Sequence, residues 1–134
     1  MTAETERTRV LLTKSRIDGH DRGVRYLATK LAEAGMEVVF TRYGTSGEIV
    51  NAALEEDVDV VGISFSVGSP LVITSEVVSL MREKGLGNVL LIIGGIIPSD
   101  EVLELLKAGV GQSFGPGASA SEVVDFIFRN VRRA

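Results

Sequence analysis

Cysteine and tryptophan are absent from this chain of 134 residues, and histidine occurs only once. The lack of cysteine excludes disulfides, thiolate metal sites, iron–sulfur clusters and a cysteine nucleophile. A single histidine excludes a metal site that needs several histidines of one chain. Long hydrophobic runs are also missing, since the longest, residues 89–97, is interrupted by Gly94 and Gly95. A membrane helix needs about 20 apolar residues, so we expect no membrane span.

Positive charge is in deficit, because 14 basic and 18 acidic side chains give a net charge of −4. This balance argues against a surface that binds nucleic acid. The first eight residues are polar and lack the apolar stretch of a signal peptide, so we expect a cytoplasmic protein. Since domains average roughly 150 residues, the sequence predicts a polar tail over residues 1–8 and one domain over residues 9–134.

Short apolar runs alternate with amphipathic stretches along the whole chain. The runs predict strands over residues 9–13, 36–40, 58–64, 89–93 and 112–114, and the stretches predict helices over residues 23–35, 46–56, 70–84, 100–108 and 121–133. Strands that alternate with helices form a parallel sheet covered on both faces. Five such units of roughly 25 residues predict a doubly wound, flavodoxin-like α/β fold with strand order 2-1-3-4-5.

Small and polar residues concentrate after the predicted strands, at the edge of the sheet where such folds bind ligands. A polar loop over residues 14–22 follows the first strand, Ser64 ends the third, and glycines follow the fourth and fifth. Glycine lets a backbone approach a ligand closely. Glycines also close tight turns, however, and the pattern by itself does not separate these two uses.

His20 lies in the polar loop, where a lone histidine is ordinarily just solvated. Asp18, two residues earlier, is placed to accept a hydrogen bond from one ring nitrogen. A carboxylate behind an imidazole fixes its tautomer and strengthens the other nitrogen as a metal donor. One histidine cannot hold a bare ion, but it can serve as an axial ligand to a metal already held by a macrocycle.

Three motifs give the chain a family resemblance. The pattern Asp18-x-His20-x-x-Gly23, followed by Ser64 and by Gly94-Gly95, resembles the DxHxxG…SxL…GG pattern of cobalamin-binding domains. The longer strings DGHDRG, GGIIP and FGPG are similar to those in the cobalamin domain of acyl-CoA mutases of the methylmalonyl-CoA mutase type. The resemblance extends over residues 9–132.

The resemblance implies how each motif residue would hold cobalamin. His20 matches the histidine that replaces the cofactor's own dimethylbenzimidazole as axial cobalt ligand, Asp18 matches its hydrogen-bonding partner, and Lys14 extends that network. Ser64 matches the serine that hydrogen-bonds the displaced base. The implied slot for the nucleotide tail involves Gly23, Gly94, Gly95, Gly115, Pro116 and Gly117, and the other implied contacts are Gly19, Asp21, Arg22 and Ser66.

Two positions depart from the family pattern. Arg16 stands where the family usually has a glycine, and its side chain would crowd the loop, contact a corrin amide or face a partner protein. Ser66 replaces the leucine of SxL, which makes the slot for the tail more polar.

The function that the resemblance implies is that of the small subunit of an adenosylcobalamin-dependent acyl-CoA mutase, which rearranges a carbon skeleton by radical chemistry. In that family a TIM barrel binds the acyl-CoA, for example methylmalonyl-CoA or 2-hydroxyisobutyryl-CoA. A barrel needs ~250 residues, more than the 134 of this chain, so the barrel would be a separate large subunit. We therefore expect no catalytic residue in this chain and no activity without that subunit. The alternative is a corrinoid carrier or a cobalamin sensor that does not catalyse a reaction.

Two other classes of protein with this fold fit the sequence less well. A response-regulator receiver needs an aspartate at the end of the third strand and a lysine after the fifth, where this chain has Ser64 and Gly115. A flavodoxin needs a phosphate-binding loop rich in serine, threonine and glycine after the first strand, where this chain has a largely charged loop.

Overall fold

Five strands and five helices alternate in a computed structural model that describes residues 7–131. The strands are β1 (Arg9–Ser15), β2 (Glu37–Tyr43), β3 (Val60–Phe65), β4 (Leu90–Gly95) and β5 (Gln112–Phe114). The helices are α1 (Arg22–Glu33), α2 (Ser46–Glu56), α3 (Pro70–Glu83), α4 (Ser99–Ala108) and α5 (Ala120–Asn130). All strands pair in parallel, in the order β2-β1-β3-β4-β5. The predicted doubly wound fold is confirmed.

Two apolar cores lie on opposite faces of the sheet, because successive side chains of a strand point to opposite sides. Leu11 of β1 belongs to the core that α2, α3 and α4 cover. Leu12, its neighbour, belongs to the core that α1 and α5 cover. The strands β1, β3 and β4 are rich in apolar residues, as expected for central strands buried on both faces.

Local sequence signals fix where two of the helices begin. Ser69 caps α3, since its hydroxyl accepts a hydrogen bond from the main-chain N–H of Val72 and Pro70 occupies the first turn. Ser119 and Glu122 form a reciprocal capping box at the start of α5. Such caps stabilise a helix by about 1 kcal/mol each. The start of α5 also borders a cavity at the carboxyl edge of the sheet.

The first four strands extend further toward the carboxyl edge than the sequence predicts, and β2 reaches Tyr43 instead of residue 40. Lys14 was expected at the start of a loop, but it belongs to β1 and pairs in register with Arg42 of β2 and Ser64 of β3. Because both neighbouring strands continue, the ladder of main-chain hydrogen bonds also continues, although the side chains there are polar. Gly94 and Gly95 likewise complete β4 rather than follow it.

The other differences concern the ends of elements. Arg22, expected in the loop, is the first residue of α1. Helix α5 ends at Asn130, and Val131 is already extended, whereas the predicted end at residue 133 lies outside the described residues. Most of the predicted tail, residues 1–6, lies outside them as well. Thr8 is buried, and its carbonyl accepts a hydrogen bond from the main-chain N–H of Glu37. Between residues 7 and 131, no helix is long and apolar enough to cross a membrane.

Candidate functional site

A cavity of about 840 Å³ opens at the carboxyl edge of the sheet, between the sheet and helices α1 and α5. Small residues on this face of the central strands create the space. Gly62 lies between Leu12 and Ile92 in the parallel register, and a Cβ atom added to it would lie 2.8 Å from Leu12 Cδ2. Two residues nearer the edge, Ser64 of β3 pairs with Gly94 of β4. The volume is within the range of small-molecule sites.

Most of the residues that the sequence singles out line this cavity. They are Gly19, His20, Asp21, Arg22, Gly23, Ser64, Ser66, Gly94, Gly95 and Gly115. Four others do not line it. Lys14 and Asp18 are buried, whereas Pro116 and Gly117 are exposed in the turn that follows β5.

Sequence reasoning missed the apolar lining of the cavity. This lining includes Leu12, Val24, Tyr26, Leu27, Gly62, Ile92, Phe114 and Val123. Phe114 is itself held by an edge-to-face contact with Phe126, with ring centroids 5.8 Å apart. One signal was present in the sequence: Gly62 interrupts an otherwise apolar strand, and a glycine there often marks a place where a ligand approaches closely.

The loop over residues 16–21, which we call the histidine loop, is built around Asp18. Its Oδ1 accepts a hydrogen bond from the main-chain N–H of His20 at 2.9 Å and lies 3.0 Å from His20 Nδ1. The Asp18 side chain is only 1% exposed, whereas that of His20 is 79% exposed. The His20 ring is therefore held by a buried carboxylate and is open to the cavity.

Lys14 lies beneath the same loop with a fully buried side chain. Its Nζ donates to the carbonyl of His20 and lies 3.4 Å from a carboxylate oxygen of both Asp18 and Asp21. A lysine is almost never buried without a partner. The two carboxylates supply that partner here, so the predicted link from Lys14 to Asp18 is present.

Asp18 remains ionised at neutral pH. Burial raises the pKa of this carboxyl, but the hydrogen bonds from the main chain and ring of His20, together with the charge of Lys14, outweigh burial and lower the pKa to about 2. An ionised carboxylate can only accept hydrogen bonds. We therefore assign the proton to His20 Nδ1, which leaves the lone pair of Nε2 free in the neutral ring.

Asp21 is also held in its charged form. Burial works against ionisation, but hydrogen bonds and charges from Lys14 and Arg42 lower the pKa of this carboxyl below its usual value. The carboxylates on either side of His20 are thus both anionic and both bound to cations from the sheet. They make the histidine loop a fixed element rather than a free turn.

Arg16 lies away from the cavity. Its Nη2 is 3.2 Å from Oε1 of Glu48, and that same oxygen accepts the main-chain N–H of Gly44 at 2.6 Å. The arginine thus joins the histidine loop to the segment between β2 and α2. Ser66, the other departure from the family pattern, does line the cavity and is exposed there.

Gly94 and Gly95 both line the cavity but have different backbone requirements. Gly95 has φ +133°, and an added Cβ would lie 2.3 Å from the carbonyl oxygen of Phe65. Only glycine fits there. A Cβ on Gly94 would meet nothing nearer than the carbonyl oxygen of Phe114, at 3.7 Å, which is ordinary contact.

The donor set suits a metal that arrives inside a larger ligand. Among residues 7–131, no group of three or more histidine, aspartate or glutamate side chains could hold a metal ion. One exposed imidazole, backed by a buried carboxylate and placed at the mouth of an apolar cavity, can instead supply a single axial donor. Cobalamin, whose corrin ring already holds cobalt, fits these residues.

Comparison with known proteins agrees with this chemistry. The family described as "B12 binding domain" matches residues 8–125. The pivalyl-CoA mutase small subunit of Xanthobacter autotrophicus is 45% identical over 126 residues, which cover 93% of this chain and 84% of that subunit. The 2-hydroxyisobutanoyl-CoA mutase small subunit of Aquincola tertiaricarbonis is 38% identical over 120 residues, covering 89% and 88%. The methylmalonyl-CoA mutase of Cereibacter sphaeroides is 37% identical over 132 residues, which make up only 19% of its length.

Solved structures share the fold at low sequence identity. A cobalamin-binding protein from Desulfitobacterium hafniense superposes with a TM-score of 0.76 at 24% identity, covering 95% of this chain and 60% of that one. A response-regulator receiver domain from Clostridium thermocellum gives a TM-score of 0.70 at 18% identity, covering 92% and 93%. Because both kinds of protein match, the architecture by itself does not separate their functions.

Proposed function

The chain belongs to the B12-binding domain family, and on that premise we propose that it is the cobalamin-binding small subunit of an adenosylcobalamin-dependent acyl-CoA mutase. Two similar proteins are named as small subunits of pivalyl-CoA mutase and 2-hydroxyisobutanoyl-CoA mutase, and the chain covers 84% and 88% of their lengths. A cytoplasmic location is part of the proposal. The observation that carries it is the exposed imidazole of His20, fixed by buried Asp18 at the mouth of the cavity.

Each residue at the site has a task in this proposal. His20 offers Nε2 to cobalt, Asp18 keeps the proton on Nδ1, and Lys14 binds the loop that carries both. The cavity takes the nucleotide tail, with the Ser64 hydroxyl available to the displaced base and Gly94 leaving room beside it. When bound, adenosylcobalamin supplies a cobalt–carbon bond whose cleavage starts the radical rearrangement of the acyl-CoA.

A larger partner subunit is part of the same proposal. The cavity opens at the exposed edge of the sheet, and His20 is 79% exposed there. Radical chemistry needs a site closed to water, so a second protein must cover this edge. We propose a TIM-barrel subunit that also binds the branched acyl-CoA and selects it from esters such as pivalyl-, 2-hydroxyisobutyryl- and methylmalonyl-CoA.

Binding and catalysis are tested in sequence. The purified chain is mixed with cob(II)alamin, and electron paramagnetic resonance is used to look for a histidine nitrogen on cobalt. The chain loaded with adenosylcobalamin is then assayed against the three acyl-CoA esters, with and without its large subunit. We expect a histidine-ligated spectrum, and isomerase activity only when both subunits are present.

Other results would exclude the proposal or change it. Failure to bind cobalamin would rule out the proposed function. Binding without activity in any mixture with a mutase large subunit would favour a corrinoid carrier or a cobalamin sensor. Substantial isomerase activity of the isolated chain would show that the two-subunit assignment is wrong.

A further inference from the structure

Two basic residues on neighbouring strands lie beneath the histidine loop. Lys14 of β1 and Arg42 of β2 are partners in the parallel register, so their side chains leave the same face of the sheet. Like charges in neighbouring positions repel each other. The carboxylates of Asp18 and Asp21 compensate here, because Asp18 lies against Lys14 and Asp21 lies against both cations. Two cations and two anions thus join the loop to the sheet.

Arg42 binds the histidine loop on both sides of His20. Its Nη1 donates to the main-chain oxygen of Asp18 at 2.9 Å, and its Nη2 donates to Oδ2 of Asp21. The guanidinium carbon also lies 5.5 Å from the centroid of the Phe40 ring. A guanidinium presents its donors in a rigid planar fork. These contacts therefore fix the relative positions of residues 18 and 21, and His20 lies between them.

The side chain of Asp21 does not make the helix-capping contact that is usual at its position. It is the N-cap residue of α1, but its side chain accepts no hydrogen bond from the helix. Aspartate is favoured at an N-cap because its carboxylate ordinarily accepts such a bond. Here the carboxylate pairs with Arg42 and Lys14 instead. The carboxylate of Asp21 therefore attaches the histidine loop to the sheet instead of capping α1.

We propose that Arg42 is a positioning residue for His20, which holds the ring in the orientation and tautomer that present Nε2 to a metal. The proposal rests on the proposed function, since it takes His20 as the cobalt ligand. Arg42 does not line the cavity, so it acts through Asp18 and Asp21 rather than by touching the cofactor. None of the motif residues lies on β2, which is why no sequence motif marks this arginine.

The chain's only histidine makes the test direct. In protein labelled with nitrogen-15 histidine, the two ring resonances report which nitrogen carries the proton, without any cofactor. At a fixed, mildly basic pH we expect the parent chain to show Nδ1 protonated and Nε2 free. Arg42→Met should move both resonances toward those of free histidine and weaken cobalamin binding about tenfold, near the lower end for residues that orient a metal ligand.

Arg25 offers a matched control. Its guanidinium lies 3.5 Å from the same carboxylate oxygen of Asp21 and 5.6 Å from the Phe40 ring, but it makes no hydrogen bond to the carbonyl of Asp18. Arg25→Met removes the same charge and should leave the histidine resonances and the cobalamin affinity unchanged. Arg42→Lys keeps the charge without the fork, so it should restore only part of the affinity.

A double variant separates positioning from a general effect on folding. If Arg42 acts through the histidine, Arg42→Met in the His20→Ala background should cause no further loss of cobalamin affinity. An additional loss there, or unchanged histidine resonances in Arg42→Met, would overturn the proposal, as would an equal shift in Arg25→Met.

A variant that does not fold still leaves the inference testable. If Arg42→Met fails to fold, Arg42→Lys and Asp21→Asn are measured by the same resonances, and unchanged signals in both would reject the inference. If the parent chain binds no cobalamin, the proposed function fails, but the resonances of the free protein still decide the role of Arg42.

Discussion

Oδ1 of Asp18 lies 3.0 Å from Nδ1 of His20, and this contact joins a side chain that is 1% exposed to one that is 79% exposed. The buried partner is also bound by a main-chain N–H and lies 3.4 Å from Lys14 Nζ. The exposed ring therefore takes its orientation from groups that solvent does not reach. Metal ligands in proteins are commonly oriented in this way, by a second residue that fixes the ring and its tautomer.

His20→Ala should remove the histidine-ligated state of bound cobalamin, because the chain has no other histidine to replace it. The ring is largely exposed, so its loss should leave the fold intact. Electron paramagnetic resonance of the cob(II)alamin complex checks this by the coupling to a histidine nitrogen. An unchanged coupling in the variant would contradict the assignment.

Asp18→Asn should weaken cobalamin binding about 10- to 100-fold, the usual effect of losing a residue that orients a metal ligand. The amide keeps the size of the side chain but removes the negative charge that lies 3.4 Å from Lys14 Nζ. Equilibrium titration measures the effect. Asp57→Asn is the matched control, since Asp57 ends α2 in a left-handed conformation (φ 52°) that asparagine also tolerates. Equal affinities for the parent and Asp18→Asn would reduce Asp18 to a turn residue.

Gly94 and Gly95 should respond differently to the same substitution. Gly94→Leu has room at its Cβ, so it should fold but fill the cavity, and overpacking of about 1–3 kcal/mol would lower cobalamin affinity roughly 5- to 150-fold. Gly95→Leu should instead destabilise the fold, because its Cβ would lie 2.3 Å from a carbonyl oxygen at φ +133°. Urea denaturation and cofactor titration of both variants separate the two effects. Parent-like binding by Gly94→Leu would remove Gly94 from the tail site.

The sequence predicted those features of the fold and the site whose residues lie close together in the chain. The strand order followed from five alternating units, and His20, Asp18 and Ser64 followed from motifs at strand ends. Arg42 could not be found in this way. Its partners Asp18 and Asp21 lie 24 and 21 residues earlier in the chain, and only the parallel register with Lys14 brings it beneath the loop.

The pH dependence of stability should reveal the contacts that the Glu48 carboxylate makes with the main chain of Gly44 and with Arg16 of the histidine loop. The pKa of Glu48 is lowered chiefly because its carboxylate accepts the main-chain N–H of Gly44, against a smaller opposing effect of burial, and Arg16 adds to the lowering. The ionised form thus favours the folded state. Its contribution is fully present above the unfolded value of 4.5 and is lost as pH falls through the lower folded value.

Glu48→Gln should therefore lower the unfolding free energy at pH 7 and flatten its decline below about pH 4.5. Glu55→Gln, a change of the same kind on the exposed face of the same helix, should not alter that slope. Urea denaturation at a series of pH values checks both variants. Identical slopes for the parent and Glu48→Gln would show that these contacts of the Glu48 carboxylate do not contribute to folding.

Arg22 should belong to the rim that contacts the partner subunit. It is exposed at the first position of α1, at the edge of the cavity, and no ion pair involves it within residues 7–131. Charges at an interface rim chiefly steer association, so Arg22→Glu should slow binding of the large subunit, by about tenfold at low salt and less as screening increases.

Arg129→Glu, an equal charge reversal near the end of α5 and far along the helix from the cavity, should leave association unchanged. Stopped-flow association at two salt concentrations, combined with cofactor titration, measures both. Unchanged association together with lost cobalamin affinity would place Arg22 in the cofactor site instead of at the subunit interface.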